Sequence, residues 1–71
     1  MSGDLTDRQL SILTCIRKWI AERGEAPTVR EIGREVGLSS TSSVVHHLVM
    51  MEELGVISRG HGPRDCRLNS H

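Results

Sequence analysis

The sequence predicts a mostly α fold with a small β-hairpin, arranged as a three-helix winged helix-turn-helix. Three observations carry this. Thr6 with Gln9 and Thr28 with Glu31 have the spacing of helix-opening capping boxes. Gly24, Gly37 and Gly55 each follow an apolar-periodic stretch, where helices commonly stop. After Gly55, two short β-capable runs flank Gly60-His61-Gly62-Pro63, which reads as a hairpin and its tip.

The first helix is expected over about residues 7 to 23. Thr6 is its N-cap, with Leu5 and Leu10 at the hydrophobic-staple positions. Ile12, Leu13, Ile16, Trp19 and Ile20 then form one apolar stripe. Trp19 reads as core and Cys15 as a small packing residue beside the stripe. The second helix opens at Thr28 after Pro27, directs Ile32 and Val36 to one side and stops at Gly37. Barely two turns long, it depends on packing for its stability. Leu38 stands where the residue after a C-terminal glycine often packs back.

Residues 39–43 are all Ser or Thr. The apolar pattern that follows favours a helix start with Ser40 as N-cap over a linker. At about 100° per residue, Val44, His47, Leu48, Met51 and Gly55 share one arc, and Ser42, Val45, His46 and Val49 the opposite one. The third helix is expected over about 41–54, with His47 semi-buried. Val56 to Arg59 and Arg64 to Leu68 form the hairpin strands; Asn69 to His71 carry no signal.

Seventy-one residues allow one domain, expected over 1–71 with an ordered core of about 5–68. Trp19 is the only aromatic, which excludes aromatic base-stacking on single-stranded nucleic acid or RNA. The formal charge of zero argues against a non-specific DNA coat. Cys15 and Cys66 are too few for a disulfide framework, and no CxxC pair or His/Cys cluster suits a metal. No signal peptide or membrane span is recognisable, so the expectation is a reduced, cytoplasmic protein without cofactor, metal, membrane or small-molecule substrate. An enzyme is not expected, since there is no Ser/His/Asp set, no phosphate-binding glycine loop and no pocket-sized volume.

A tight turn between the second and third helices sets the third at the large angle that lets its N-terminal half enter a DNA major groove. Small side chains at 39–43 let backbone approach phosphate, and a helix N-terminus favours an anion. The hairpin adds Arg59, Arg64 and Arg67 against a single acid, Asp65, so the wing is locally basic.

Leu5-Thr6-Asp7-Arg8-Gln9, Pro27-Thr28-Val29-Arg30-Glu31-Ile32-Gly33, Val36-Gly37-Leu38-Ser39-Ser40-Thr41-Ser42-Ser43-Val44 and Leu54-Gly55-Val56-Ile57 together resemble the N-terminal DNA-binding domain of the LexA repressor family, in order and at matching spacing. The resemblance implies a winged helix-turn-helix that binds palindromic operators of DNA-damage (SOS) response genes as a transcriptional repressor domain, with a homodimer on double-stranded DNA. It implies base reading by Ser40, Ser42, Ser43, Val45 and His46. Backbone contacts would come from Thr28 and Arg30 on the second helix and Arg59 and Arg64 on the wing. Val45 and Val49 stand where family members often carry polar or charged side chains. The resemblance further implies that the self-cleaving protease domain of full-length members, with its Ser-Lys dyad and dimer interface, is absent from this chain. The alternative reading is a protein-interaction module that pairs with another regulator through Val45, Val49 and Met50.

Overall fold

The structure, a computed structural model, describes residues 5–60 and 66–69. Its elements are α1 (Asp7–Arg23), α2 (Val29–Val36), α3 (Thr41–Glu53), β1 (Ile57–Arg59) and β2 (Cys66–Leu68), the strands pairing antiparallel with Ile57 opposite Leu68, Ser58 opposite Arg67 and Arg59 opposite Cys66. This is the winged helix-turn-helix that the sequence predicts. Among the described residues, no helix is long and apolar enough to cross a membrane.

Both capping boxes form. Thr6 Oγ1 accepts from the Gln9 backbone N–H at 3.1 Å, and Gln9 Oε1 accepts from the Thr6 N–H at 3.2 Å. At α2 the same exchange joins Thr28 and Glu31 at 3.2 and 2.8 Å. Ser40 departs from this pattern: it occupies the N-cap of α3, but its hydroxyl makes no cap hydrogen bond. The backbone gives the reason. Both capping threonines have ψ near 166°, whereas Ser40 has φ −109° and ψ 126°, which turns its side chain away from the first-turn N–H groups.

The core is aliphatic. Ile12 and Ile16 of α1, Ile32 of α2, Val44, Leu48 and Met51 of α3 and Ile57 of β1 are buried together with Cys15. Leu5, Leu13, Trp19, Ile20, Val36, Leu38 and Leu68 pack against this cluster from its rim. Two expectations need adjusting. Leu10, expected as half of a staple, is 47% exposed. Trp19 is half-buried at the rim, where the Arg23 guanidinium carbon lies 4.3 Å from its ring centroid in a cation–π contact.

The turn between α2 and α3 is built on two glycines. Gly37 has φ 81°, a left-handed conformation that glycine alone adopts at little cost. It lets the Gly37 and Leu38 N–H groups both reach the Gly33 carbonyl, the latter at 2.8 Å. Gly33 lies in the buried seam itself. A Cβ there would stand 3.1 Å from the Leu38 carbonyl oxygen and 3.3 Å from Val44 Cγ2, so the absence of a side chain sets how closely α3 approaches α2. Arg8 of α1 adds a tie, donating from Nη1 to the Val36 carbonyl at 2.7 Å where the α2 dipole favours a cation.

Gly33→Val should therefore push α3 off α2. The expected loss is about 1–3 kcal/mol of stability by urea denaturation, the usual cost of overpacking. Unchanged stability would show that the seam gives way freely.

The Cys15 thiol titrates far from its ordinary value. Burial, and then the nearby Glu35 carboxylate, push it up to about 11, partly opposed by Lys18. The protonated thiol is thus favoured in the folded state. Below pH 9 both states are protonated and this stabilisation is fully present; it is lost as pH rises through about 11 because the unfolded chain releases its proton first. The chain has no tyrosine and one lysine, so few other groups titrate in that window. Denaturant titrations from about pH 8.5 to about pH 11, across the interval between the unfolded and folded values, should show stability falling for the natural chain and falling less for Cys15→Ala. Equal slopes would refute the assignment.

Candidate nucleic-acid interface

The second helix of a helix-turn-helix unit presents whatever its outward arc carries. On α3 the inward positions Val44, Leu48 and Met51 are buried. Ser40, Ser42, Val45 and His46 are exposed, and Ser43 is half-buried. The structure thus brings Ser42, Val45 and His46 together on one solvent-facing strip, as the helical period predicts. Val49, 42% exposed, extends that strip one turn further, and Met50, 39% exposed, borders it.

This face carries no formal charge. No Lys, Arg, Asp or Glu occurs between Glu35 and Glu52. The first turn of α3 holds no acidic residue to engage its N–H groups, while Glu52 and Glu53 lie at the opposite end. The N-terminal half of α3 is consequently the end with positive dipole character and no opposing carboxylate.

Gln9 fixes the pitch of α3 against α1. It is the one buried polar residue among those described, 1% exposed. Because its Oε1 takes the Thr6 N–H, its Nε2 faces α3, donating to His47 Nδ1 at 3.4 Å and to Met50 Sδ at 3.7 Å. An amide nitrogen can only donate, so Nδ1 is the acceptor and the neutral ring carries its proton on Nε2. His47 is therefore the satisfied, half-buried histidine expected from its arc. His46 meets it edge-on, ring centroids 5.9 Å apart.

At its other end α3 closes in a Schellman motif. The Gly55 N–H donates to Glu52 O at 3.0 Å and the Val56 N–H to Met51 O at 3.1 Å, with Gly55 at φ 83°. Asn69, which carried no signal in the sequence, locks the wing to this motif. Its Nδ2 donates to the Gly55 carbonyl at 2.9 Å, its Oδ1 accepts from Ser58 Oγ at 2.9 Å and its N–H donates to Val56 O at 3.1 Å.

Arg59 is exposed at the end of β1 and shares a shallow depression with Ser58, Gly60 and Arg67. Arg67, exposed on β2, lies opposite Ser58 in the hairpin register and lines the same depression. Arg64 lies outside the described residues. Arg30 is exposed near the start of α2. Thr28 is half-buried and its oxygen already accepts the Glu31 N–H, so a contact to phosphate would use its hydroxyl hydrogen.

A shallow, open groove of about 510 Å³ runs between α1 and α2, lined by Leu10, Thr14, Cys15, Lys18 and Glu35. Its thiol is held protonated, the form that is a poor nucleophile and metal ligand. Neither cysteine takes part in a disulfide.

Fold and surface define a winged helix-turn-helix with an uncharged outward face on its third helix. Comparison with known proteins places it further. The LexA DNA binding domain matches residues 2–64. The chain is 51% identical over 67 residues to LexA repressor 1 of Nocardia farcinica, covering 90% of this chain and 31% of that protein. It is 50% identical over 64 residues to the LexA repressor of Streptomyces coelicolor, covering 89% and 27%. With the LexA repressor of Mycobacteroides abscessus it shares 52% identity over 58 residues, 82% and 26%. The chain belongs to the LexA DNA-binding domain family, and it spans about a third or less of the length of these relatives. The alternative of a protein-pairing module finds no support in these matches.

The Gln9 link is testable by a double-mutant cycle. Gln9→Leu and His47→Leu should each destabilise the fold, with a coupling energy of about 0.5–1.5 kcal/mol in chemical denaturation. Strict additivity would mean that the amide and the ring do not interact.

Proposed function

We propose that this chain is the operator-reading part of a transcriptional repressor of the DNA-damage response. In this reading it binds palindromic double-stranded DNA in the cytoplasm as two copies and performs no catalysis of its own. The carrying observation is the LexA DNA-binding domain match over residues 2–64, joined to a third helix whose N-terminal half is exposed and free of charge. In this reading α3 enters the major groove, and Ser40, Ser42, Ser43, Val45 and His46 meet base edges. Thr28 and Arg30 meet phosphate from α2, and Arg59, Arg64 and Arg67 do so from the wing. The division follows placement: the hydroxyl, imidazole and methyl groups of the α3 strip meet base edges, whereas the guanidinium groups on α2 and the wing flank it and hold the backbone. One such module buries only about 600–1,000 Å², so a single copy binds weakly and a palindrome engaged by two copies gains by multivalency.

Fluorescence anisotropy with a LexA-type palindrome and a scrambled duplex, at two salt concentrations, tests this. The palindrome is expected to bind more tightly and both duplexes to weaken steeply with salt. Ser42→Ala or His46→Ala should narrow the gap between the duplexes. Arg59→Ala or Arg64→Ala should weaken both alike and lower the salt slope by about 1. Equal, salt-insensitive binding of the two duplexes would overturn the proposal.

A further inference from the structure

Resting on that reading, we infer that Val45 is a sensor for the C5-methyl group of a pyrimidine in the major groove, so that one thymine in each operator half-site is recognised by its methyl alone.

The inference starts from a residue in a poor place. Val45 is 37% exposed on α3, and Val49 one turn later is 42% exposed. A β-branched residue is a weak helix former, and an apolar one gains nothing from water. Fold stability accounts for Val44, which is buried in the core, but not for its neighbour. Val45 is the fifth residue of α3, counted from Thr41, and so lies in the half of the helix that a helix-turn-helix directs into the groove. It also shares its strip with Ser42 and His46, which are both exposed.

Groove chemistry then narrows what an apolar group can read. Hydrogen-bond donors and acceptors line every base-pair edge, and valine can satisfy none of them. Thymine's C5 methyl is the apolar feature in that pattern; cytosine lacks it and 5-methylcytosine restores it. With no charged side chain between Glu35 and Glu52, the face has no arginine or lysine for a guanine and no carboxylate for a cytosine amine. Methyl contact is left as the apolar share of its discrimination.

The test separates this inference from the reading beneath it. A random-sequence selection with the natural chain first supplies a bound duplex. Each thymine in it is then replaced singly by uracil, which removes only the methyl. Burial of one methyl predicts that one thymine per half-site costs about three- to fivefold in affinity when so replaced. In Val45→Ala the same replacement should cost less than about twofold. Cytosine at that position should bind more weakly than 5-methylcytosine with the natural chain and equally with the variant. Since Val45 is exposed, Val45→Ala should fold normally, which its thermal melt checks. A selected duplex whose uracil scan is flat, or unchanged in Val45→Ala, overturns the methyl-reading role while leaving DNA binding intact. A selection that enriches no duplex overturns the DNA-binding reading and this inference with it.

Discussion

The close approach of α3 to α2 at Gly33 is the constraint on which the remaining geometry depends. With 3.1 Å between a hypothetical Cβ and the Leu38 carbonyl, the seam admits hydrogen and nothing larger without movement. That approach lets Val44 reach the core from the first turns of α3, and a helix anchored so early must turn its next residues outward. The exposure of Ser42, Val45 and His46 is therefore a consequence of the packing at Gly33. Gly37, left-handed at the turn, supplies the change of direction that the seam requires.

Three further ties hold this arrangement, two from α1 and one from the residue that follows β2. Arg8 reaches from α1 to the last carbonyl of α2, and Gln9 beside it reaches from α1 to His47 on α3. Asn69 joins the wing to the glycine that ends α3. Adjacent residues on one turn of α1 thus fasten both helices of the helix-turn-helix unit. A small core without phenylalanine or tyrosine gains more than most from such polar ties, because aliphatic side chains alone fill less of a 71-residue fold.

Most of this fold is legible in the sequence because its signals are local. A capping box, a positive-φ glycine and an i, i+4 stripe are all decided within a few residues, and the expected limits of α1 coincide with the observed ones. Contacts between elements distant in the chain are what the sequence hides. Nothing local marks Gln9 as more than a capping residue, since its second role depends on an imidazole 38 positions away. Asn69 is likewise silent until the hairpin closes. Ser40 illustrates the limit of residue preference: the residue type suits an N-cap, but the turn from Gly37 fixes a ψ that denies its hydroxyl the bond. The outward strip of α3 was readable from periodicity alone, whereas the placement of Arg67 opposite Ser58 needed the strand register.

Charge placement gives these features a common logic. The chain is neutral overall, yet its basic residues are absent from the central stretch that includes most of α3 and recur at the wing. A neutral molecule draws little on long-range attraction to a polyanion, so the proposed DNA affinity has to come from a few well-placed contacts. An arginine on the reading face could read guanine through a bidentate bond, but its charge would also raise affinity for every duplex. An uncharged face of hydroxyl, imidazole and methyl groups adds little to non-specific binding, so what it contributes falls mainly on the correct site. Discrimination then rests on how accurately α3 is held, which returns the burden to Gly33, Gln9 and Asn69, residues outside the proposed base-reading strip.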